Sequence, residues 1–323
     1  MIADLRGVIA VSVIHGLLLL LILLAIPGIA SIGAPTMVAA PVAAPLPPRD
    51  PEVVRALPDP SVLRSASEYT SWGGRLYASP PGVVQIEKDL ERDLMGVINA
   101  KRVTPLTPLE PEEGFQRAAR MHAIDQALRG FDSDLDPELR NTTDRVAVLH
   151  RRYVGLPAGF GLSHGHGTSG LPSAAELARD LLAQPNAEEA LVSPEKSVAN
   201  ALYGLGIASR LVGEQRVYRV SLIVGPRGAM LAAPLPLTAR VGDIPNLAFD
   251  TAASGGVAPQ TYELWEPEKG TTAFSGGSTT APQPFTTPGV YRFKMNAPPR
   301  PAPAKGKDAA PPSWWRGPEV TVK

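Results

Sequence analysis

The sequence predicts three structural parts in chain order: a transmembrane helix, a mixed α/β region and an all-β sandwich. An apolar stretch without acidic or basic side chains, residues 7–30, indicates the first part. Helical spacing of apolar residues, followed by a hairpin pattern, indicates the second part in residues 82–228. In residues 229–323 helical spacing disappears, and short apolar segments alternate with glycine, proline, serine and threonine, which is typical of an antiparallel sandwich.

The apolar stretch is long enough for a helix to cross a hydrocarbon core of about 30 Å at about 1.5 Å per residue. A cleaved signal peptide is the alternative, but its apolar core usually has only about 7–15 residues. Arg6 lies just before the stretch, and no lysine or arginine follows until Arg49. The positive-inside rule therefore places residues 1–6 in the cytoplasm. For a bacterium we expect a single-pass inner (cytoplasmic) membrane protein with the bulk of the chain in the periplasm.

His15 lies within the predicted span, where a polar side chain is costly and usually functional. Three interpretations are open: a hydrogen bond to a neighbouring helix, contact with interfacial water, and ligation of the metal of bacteriochlorophyll or haem. The last rests on a similarity to antenna polypeptides, whose membrane helices have one histidine in an aliphatic run. Gly16 would permit close approach of a second helix. We therefore expect the helix to contact other protein subunits as well as the lipid bilayer.

Composition excludes several classes of function. The chain has 31 basic and 31 acidic residues and no basic block, so the electrostatic surface of a nucleic-acid binder is missing. It contains no cysteine, which rules out a thiolate metal site and a cysteine nucleophile. We expect no nucleic acid among its partners.

Residues 31–81 are predicted to form a proline- and alanine-rich spacer, because frequent prolines prevent a helix or a sheet from continuing. After this spacer, amphipathic helices are predicted to begin at Gly82, Pro111 and Ser173. The apolar runs 199–211 and 216–224, separated by a short polar break, predict a hairpin.

The strand count of residues 229–323 predicts an immunoglobulin-like β domain, and the segment PGVYRFKM resembles the late strand of bacterial members of that class. A proline-rich insertion, residues 297–313, interrupts the last hairpin of this domain.

A series of motifs runs through the region from Gln85 to Gly225: VINAKR, AARMHAIDQALRGF, SDLDPELRNTTDR, SAAELARDLLAQPNAEEALVSPE, YGLGIAS and YRVSLIVG. In this order they resemble the bacterial form of the CAP superfamily, the cysteine-rich secretory, antigen 5 and pathogenesis-related proteins. The resemblance implies a three-layer α/β/α sandwich with a cavity in which histidines and glutamates hold a divalent metal. Asp134 and Ala187 stand where the family has histidines, so the resemblance implies a degenerate, CAP-like cavity.

His164 and His166 form a second candidate site, in the segment SHGHGTSG. Two imidazoles this close together can share a metal, whereas the neighbouring Gly165 and Gly167 favour an exposed polar loop. The acidic residues in 132–136 lack the opposed environments that general acid–base catalysis requires. Because no phosphate loop, serine elbow or zinc-protease motif is present either, we expect no enzymatic activity.

These observations predict a non-enzymatic accessory subunit that stabilises a larger bacterial membrane complex, with a photosynthetic reaction centre and antenna or a respiratory assembly as the host. The alternative is a tethered periplasmic binding module for cell-wall glycan or lipid. An enzymatic role would require Asp134, His164 and His166 to converge on a metal. The aromatic residues expected at interfaces are Trp72, Trp265, Trp314 and Trp315.

Overall fold

The structure is a computed structural model. It describes residues 57, 62–168, 170–194, 197, 200–253, 261–277, 280–296 and 314–323. The predicted membrane span, with His15 and Gly16, lies outside the described residues. The whole proline-rich insertion 297–313 and the first part of the predicted spacer also lie outside them.

A five-stranded sheet forms the centre of the first module, residues 62–225. Its strands are β1 (Gln85–Ile86), β2 (Glu110–Pro111), β4 (Ala158–Gly167), β5 (Leu202–Val212) and β6 (Gln215–Gly225). The order is β1-β5-β6-β4, and β2 pairs with β5 in parallel. The helices are α1 (Ala66–Ala78), α2 (Lys88–Lys101), α3 (Glu113–Arg129), α4 (Thr142–Leu149), α5 (Ala174–Leu182) and α6 (Ala187–Leu191).

The hairpin that the sequence predicts is confirmed. Strands β5 and β6 pair antiparallel along their whole length, from Leu202 opposite Gly225 to Val212 opposite Gln215. Gly213 makes the turn with a φ of 62°, which a residue without a side chain adopts at little cost. The hairpin is the central pair of the sheet, and every other element of the module is placed against it.

The three predicted amphipathic helices are confirmed as α2, α3 and α5, although α2 begins only at Lys88 because β1 precedes it. Helix α3 ends at Gly130, which has a φ of 74°. Helix α5 begins with a capping box, in which Ser173 and Glu176 each bind the other's backbone nitrogen.

Three helices, α1, α4 and the short α6, are not predicted by the sequence. Helix α1 lies in the range expected to be spacer, but it occupies a window without proline between Pro60 and Pro80. Helix α4 follows Asn141, whose side chain accepts a hydrogen bond from the backbone of Asp144 at 3.0 Å. Local capping and burial against the sheet therefore stabilise helices that composition and apolar spacing do not indicate.

Helices pack on both faces of the first sheet. One core contains α1, α3 and α4, and the other contains α2, α5, α6 and the large side chains of β5 and β6. Helix α3 approaches β5 so closely that a Cβ added to Gly204 would lie 2.0 Å from the Phe115 backbone. At Gly206 the same construction gives 2.4 Å to the Cα of Arg120. These two glycines set the position of α3 against the sheet.

The second module, residues 229–323, contains a separate five-stranded sheet. Its strands are β8 (Thr238–Ala239), β9 (Thr261–Glu266), β10 (Thr271–Gly277), β11 (Gly289–Asn296) and β12 (Trp314–Val322). Their order is β10-β9-β11-β12-β8, and β12 and β8 are parallel. The prediction of an immunoglobulin-like sandwich is wrong, because the described strands of this module form one sheet around its own core and do not form two sheets packed face to face.

The two modules contact each other through a two-stranded sheet of β3 (Tyr153–Val154) and β7 (Ala229–Met230), which crosses the predicted boundary after residue 228. Arg151 donates to the carbonyl oxygens of Leu235 and Pro236 at 2.9 Å each, and also to that of Glu319. Hydrogen bonds in both directions join Gly155 to Arg316. The first module therefore contributes part of the second module's core, including the buried Val154.

The predicted fold class is also corrected in its first part, the transmembrane helix. The longest helix of the described residues is α3, with 17 residues, and none of their helices has the length and apolar character to cross a bilayer. The described chain is instead rich in β-strands, with helices packed on the first sheet. The prediction of a single-pass anchor, and of the inner-membrane and periplasmic localisation that depended on it, is therefore corrected, since no described helix supports it.

Candidate functional site

A cavity of about 410 Å³ lies along the outer edge of strand β4. We call it the β4-edge pocket. Residues 159–163 of β4 form one wall, the loop of residues 132–134 forms a second, and the C-terminal end of α5 forms a third. Its polar lining residues are Gln126, Asp132, Ser133, Asp134, Ser163, Asp180 and Gln184. The pocket thus brings three carboxylates next to the edge of a sheet.

Asp134 is fixed in the pocket wall by a buried arginine. Arg145 has no exposed side-chain surface, and its Nη2 donates to Asp134 Oδ1 at 2.5 Å. Thr142 donates to the same carboxylate through its backbone nitrogen at 3.1 Å and through its hydroxyl at 2.5 Å. Burial opposes ionisation of Asp134, but the charge of Arg145 and the Thr142 hydrogen bonds outweigh it and hold the pKa below its ordinary value. Asp134 is therefore a fixed anion.

Gln126 contributes an acceptor without a donor. Its side chain is 2 % exposed, and its Nε2 donates to the Ser133 carbonyl oxygen at 3.1 Å. That carbonyl can only accept, so it fixes the orientation of the amide and leaves Oε1 without a hydrogen-bond partner. Buried polar atoms are normally satisfied. Gln126 is therefore a pocket-lining residue with an unsatisfied acceptor.

His122 lies one helical turn before Gln126 and contacts the same carbonyl oxygen, with Nε2 at 3.2 Å from Ser133 O. Since a carbonyl accepts, Nε2 carries the proton, and the buried Nδ1 is left without a partner. Burial, with the charge of Arg145, lowers the pKa of His122 well below its ordinary value. The imidazole is neutral and adds a second acceptor behind the pocket.

The other two carboxylates are partly exposed and face basic groups. Asp180 Oδ2 lies 3.3 Å from His164 Nδ1, and its Oδ1 lies 3.0 Å from Arg179 Nη2. Asp132 Oδ1 lies 3.4 Å from Arg219 Nη1. None of Arg145, Arg179 and Arg219 is among the lining residues of the pocket. The carboxylates therefore present negative charge to the pocket, while their arginine partners support them from outside it.

The predicted histidine loop is a strand. His164 and His166 lie on β4, opposite Tyr218 and Arg216 of β6, and their ring centroids are 6.1 Å apart. The described residues contain no group of three or more His, Asp or Glu side chains that could hold a metal ion. Glycine is unfavourable in strands, but here the continuous antiparallel pairing with β6 outweighs that propensity.

Of the two positions that the family resemblance singled out, only Asp134 lines the pocket. Ala187 is the first residue of α6 and is fully buried in the core between the helices and the sheet.

The predicted interface aromatics have different environments. Trp72 is 3 % exposed and belongs to the core around α3, with the Arg129 guanidinium 5.4 Å from its ring centroid. Trp265 is half-buried, and Lys294 Nζ lies 3.4 Å from its ring centroid. Trp314 and Trp315 are half-buried at the start of β12. Trp72 is thus a core residue, whereas the other three are accessible at the second sheet.

Comparison with known proteins identifies no family: no family model and no curated protein matches the chain. Among solved structures, the chain is similar to an outer surface protein from Borrelia burgdorferi, with 16 % identity and a TM-score of 0.34. The match covers 44 % of this chain and 98 % of that one. A likeness this weak supports neither a fold nor a function.

The assignment to the CAP superfamily, followed by an immunoglobulin-like domain on a membrane anchor, is therefore corrected, since no family model supports it. The motifs that suggested it correspond to ordinary elements: SAAELARDLLAQP is the capped helix α5, and YRVSLIVG is the buried strand β6. Many sheet-and-helix folds require such segments, so their order was not specific.

Proposed function

We propose that this chain is a non-enzymatic accessory protein that binds a partner through a positively charged, hydrogen-bond-donating group seated in the β4-edge pocket. The observation that carries the proposal is the buried, unsatisfied Oε1 of Gln126 in a pocket lined by three carboxylates. A buried acceptor without a donor costs about 1–3 kcal/mol. A ligand that donates to it recovers this cost on binding.

The polar lining of the pocket favours a guanidinium group. Arginine has five donors in a planar fork, which can bind a carboxylate with two parallel hydrogen bonds. Asp180, which is one-third exposed, and Gln126, which has the orphaned oxygen, line the same cavity, so one fork can engage the carboxylate and the amide together. A lysine ammonium has only three donors on one atom and satisfies fewer of these acceptors.

The environment of Asp134 favours binding over catalysis. A general acid needs a carboxyl with a raised pKa beside another with a lowered one. Asp134 has a lowered pKa and is bound to Arg145 and Thr142, whereas Asp136, whose pKa is raised by burial, does not line the pocket. Its carboxylate is suited to a constant electrostatic contribution and not to proton transfer.

A glycan ligand, the alternative predicted from the sequence, is favoured less. Sugar sites usually offer aromatic faces for stacking, and the only aromatic side chain among the pocket's described lining residues is Phe160. None of the four tryptophans lines the pocket.

The proposal is tested by NMR titration with Nα-acetyl-arginine methylamide, using the equally shaped but neutral citrulline amide as the matched ligand. We expect shifts in the backbone amides of residues 159–163 with arginine and much smaller ones with citrulline. Asp180→Asn should weaken the binding of arginine by about tenfold, because one charged contact contributes roughly 1.4 kcal/mol. Asp89→Asn, an exposed carboxylate on α2 that does not line the pocket, is the matched control.

Equal binding of the two ligands would show that the pocket does not select positive charge and would overturn the proposal. An unchanged affinity in Asp180→Asn would do the same, provided that Asp89→Asn binds like the unmodified chain.

A further inference from the structure

Strand β4 is an edge strand with one unoccupied side. All ten of its residues, Ala158–Gly167, pair with β6 on one side. In the part of the chain that the structure describes, no strand pairs with the other side. An edge strand presents a row of backbone N–H and C=O groups to its surroundings. The free edge of β4 is thus about 30 Å long, at about 3.3 Å per residue, and another strand can pair with it.

This edge lacks the usual protection against pairing. Proteins commonly shield edge strands with lysine, proline or a bulge, yet residues 158–167 contain no lysine or proline, and the register with β6 is continuous. Four of the ten residues are glycines. Glycine within a strand often marks a place where another backbone approaches closely.

The β4-edge pocket lies along this same edge. Residues 159–163 of β4 line it, and Asp132, Asp134 and Asp180 line it from the flanking loop and helix. Backbone hydrogen-bonding groups and negative side chains therefore face one space. This combination is the arrangement used in β-strand addition, where main-chain hydrogen bonds give affinity and side-chain pockets give specificity.

We propose that the partner binds as an extended peptide segment that adds to the outer edge of β4 and places an arginine side chain in the β4-edge pocket. This inference rests on the proposed function and specifies its ligand class. The peptide backbone continues the sheet beyond β4, while the guanidinium reaches Asp180 and the orphaned Oε1 of Gln126.

Charge complementarity favours an arginine-containing peptide at the β4 edge over a second copy of the chain. Two copies paired through β4 would bring two sets of the same three carboxylates towards one edge, and like charges brought together oppose such pairing. A basic peptide neutralises the three carboxylates of one chain and brings no second group of carboxylates next to them.

The test uses the peptide acetyl-Thr-Val-Arg-Val-Thr-amide, measured by fluorescence or calorimetric titration against the whole chain. Alternate amides of a strand face opposite sides. We therefore compare two N-methylated forms, one methylated on both valines and the other on the threonines and the arginine. One form should lose at least tenfold in affinity, because its blocked amides face β4, and the other should bind like the parent peptide. Hydrogen exchange should slow at alternate amides of residues 158–167 in the complex.

Equal affinity of the parent and both methylated peptides, together with binding of the arginine amide, would overturn strand addition and leave the proposed function standing. Failure of both the peptides and the arginine amide to bind would overturn both proposals. Sedimentation of the free chain as a dimer, with the exchange of β4 amides already slow, would show a second copy at this edge and would also overturn the peptide proposal.

Discussion

Arg145 and Asp134 form a partly buried ion pair behind the β4-edge pocket: Nη2 of the fully buried arginine lies 2.5 Å from Oδ1 of the aspartate, whose side chain is 42 % exposed. A second nitrogen of the guanidinium donates to the backbone carbonyl oxygens of Asp134 and Arg140. One buried cation therefore fixes both the charge and the backbone of the loop that forms a pocket wall. The same pair is important for stability and for the electrostatics of the site.

Asp134→Asn should destabilise the fold by about 2–3 kcal/mol, since it leaves the buried Arg145 without its counter-ion. The cost is at the low end for such pairs because Asp134 is partly exposed. The folded-state pKa of Asp134 is lowered, so its stabilising contribution is complete above the unfolded value of about 3.9 and is lost as the pH falls through the folded value. Urea unfolding should show a constant difference between the two proteins above about pH 5, and this difference should shrink in acid. A difference independent of pH down to the acid limit would argue against the ion pair.

Gly204→Ala should destabilise the chain severely, because the added Cβ would lie 2.0 Å from the Phe115 backbone and force α3 away from the sheet. The matched change is Gly96→Ala, on α2, where the added Cβ would meet nothing within 4 Å. In that position alanine should stabilise the helix by about 0.5–1 kcal/mol. Thermal unfolding of the two variants should therefore move in opposite directions, and a small effect at Gly204 would contradict the packing described for α3.

Trp72→Ala should cost about 3–5 kcal/mol, because a large buried side chain is removed from the core of the first module. Trp265→Ala should cost much less, about 1 kcal/mol, since this ring is half-buried and its named contact is with Lys294 at the surface. Comparing the two free energies of unfolding distinguishes a core tryptophan from a surface one. If both substitutions lower the free energy of unfolding by similar small amounts, Trp72 is not a core residue and the prediction of an interface residue stands.

Gly161→Ala should weaken binding of the arginine amide, because the new methyl group would lie in the pocket wall, 3.3 Å from the Val220 carbonyl oxygen and 4.0 Å from Gln126 Nε2. We expect a loss of about tenfold, measured by the same NMR titration. Gly167→Ala, on the same strand, places its methyl group in open space and is the matched control. If both variants bind alike, the floor of the pocket is not where the ligand lies.

Much of the first module could be predicted from sequence, because its helices and hairpin have strong local signals. Apolar spacing, the Ser173 cap and the terminal Gly130 defined α3 and α5, and the two apolar runs defined β5 and β6. Strand β4 could not be predicted, since its alternating glycines and histidines have low strand propensity and only pairing with β6 stabilises it.

The pocket was less predictable still. The sequence singles out Asp134 as an altered family position and as one of three conditional metal ligands, whereas it singles out neither Gln126 nor Asp180. Their importance depends on contacts between segments distant in the chain: Gln126 with Ser133, Asp180 with His164. The one local signal was the spacing of His122 and Gln126, four residues apart on α3, which places both on one face.

The most direct test of the central claim is the dissociation constant of the arginine amide for Gln126→Leu, which removes the orphaned oxygen while keeping a side chain of similar volume. We expect binding at least about fivefold weaker than in the unmodified chain, because a hydrogen bond to a charged donor contributes about 1.5–3 kcal/mol and some of it is offset by water. Circular dichroism at the same temperature would verify that the variant is folded. An unchanged dissociation constant in a folded Gln126→Leu would contradict the claim that this pocket holds a positively charged donor.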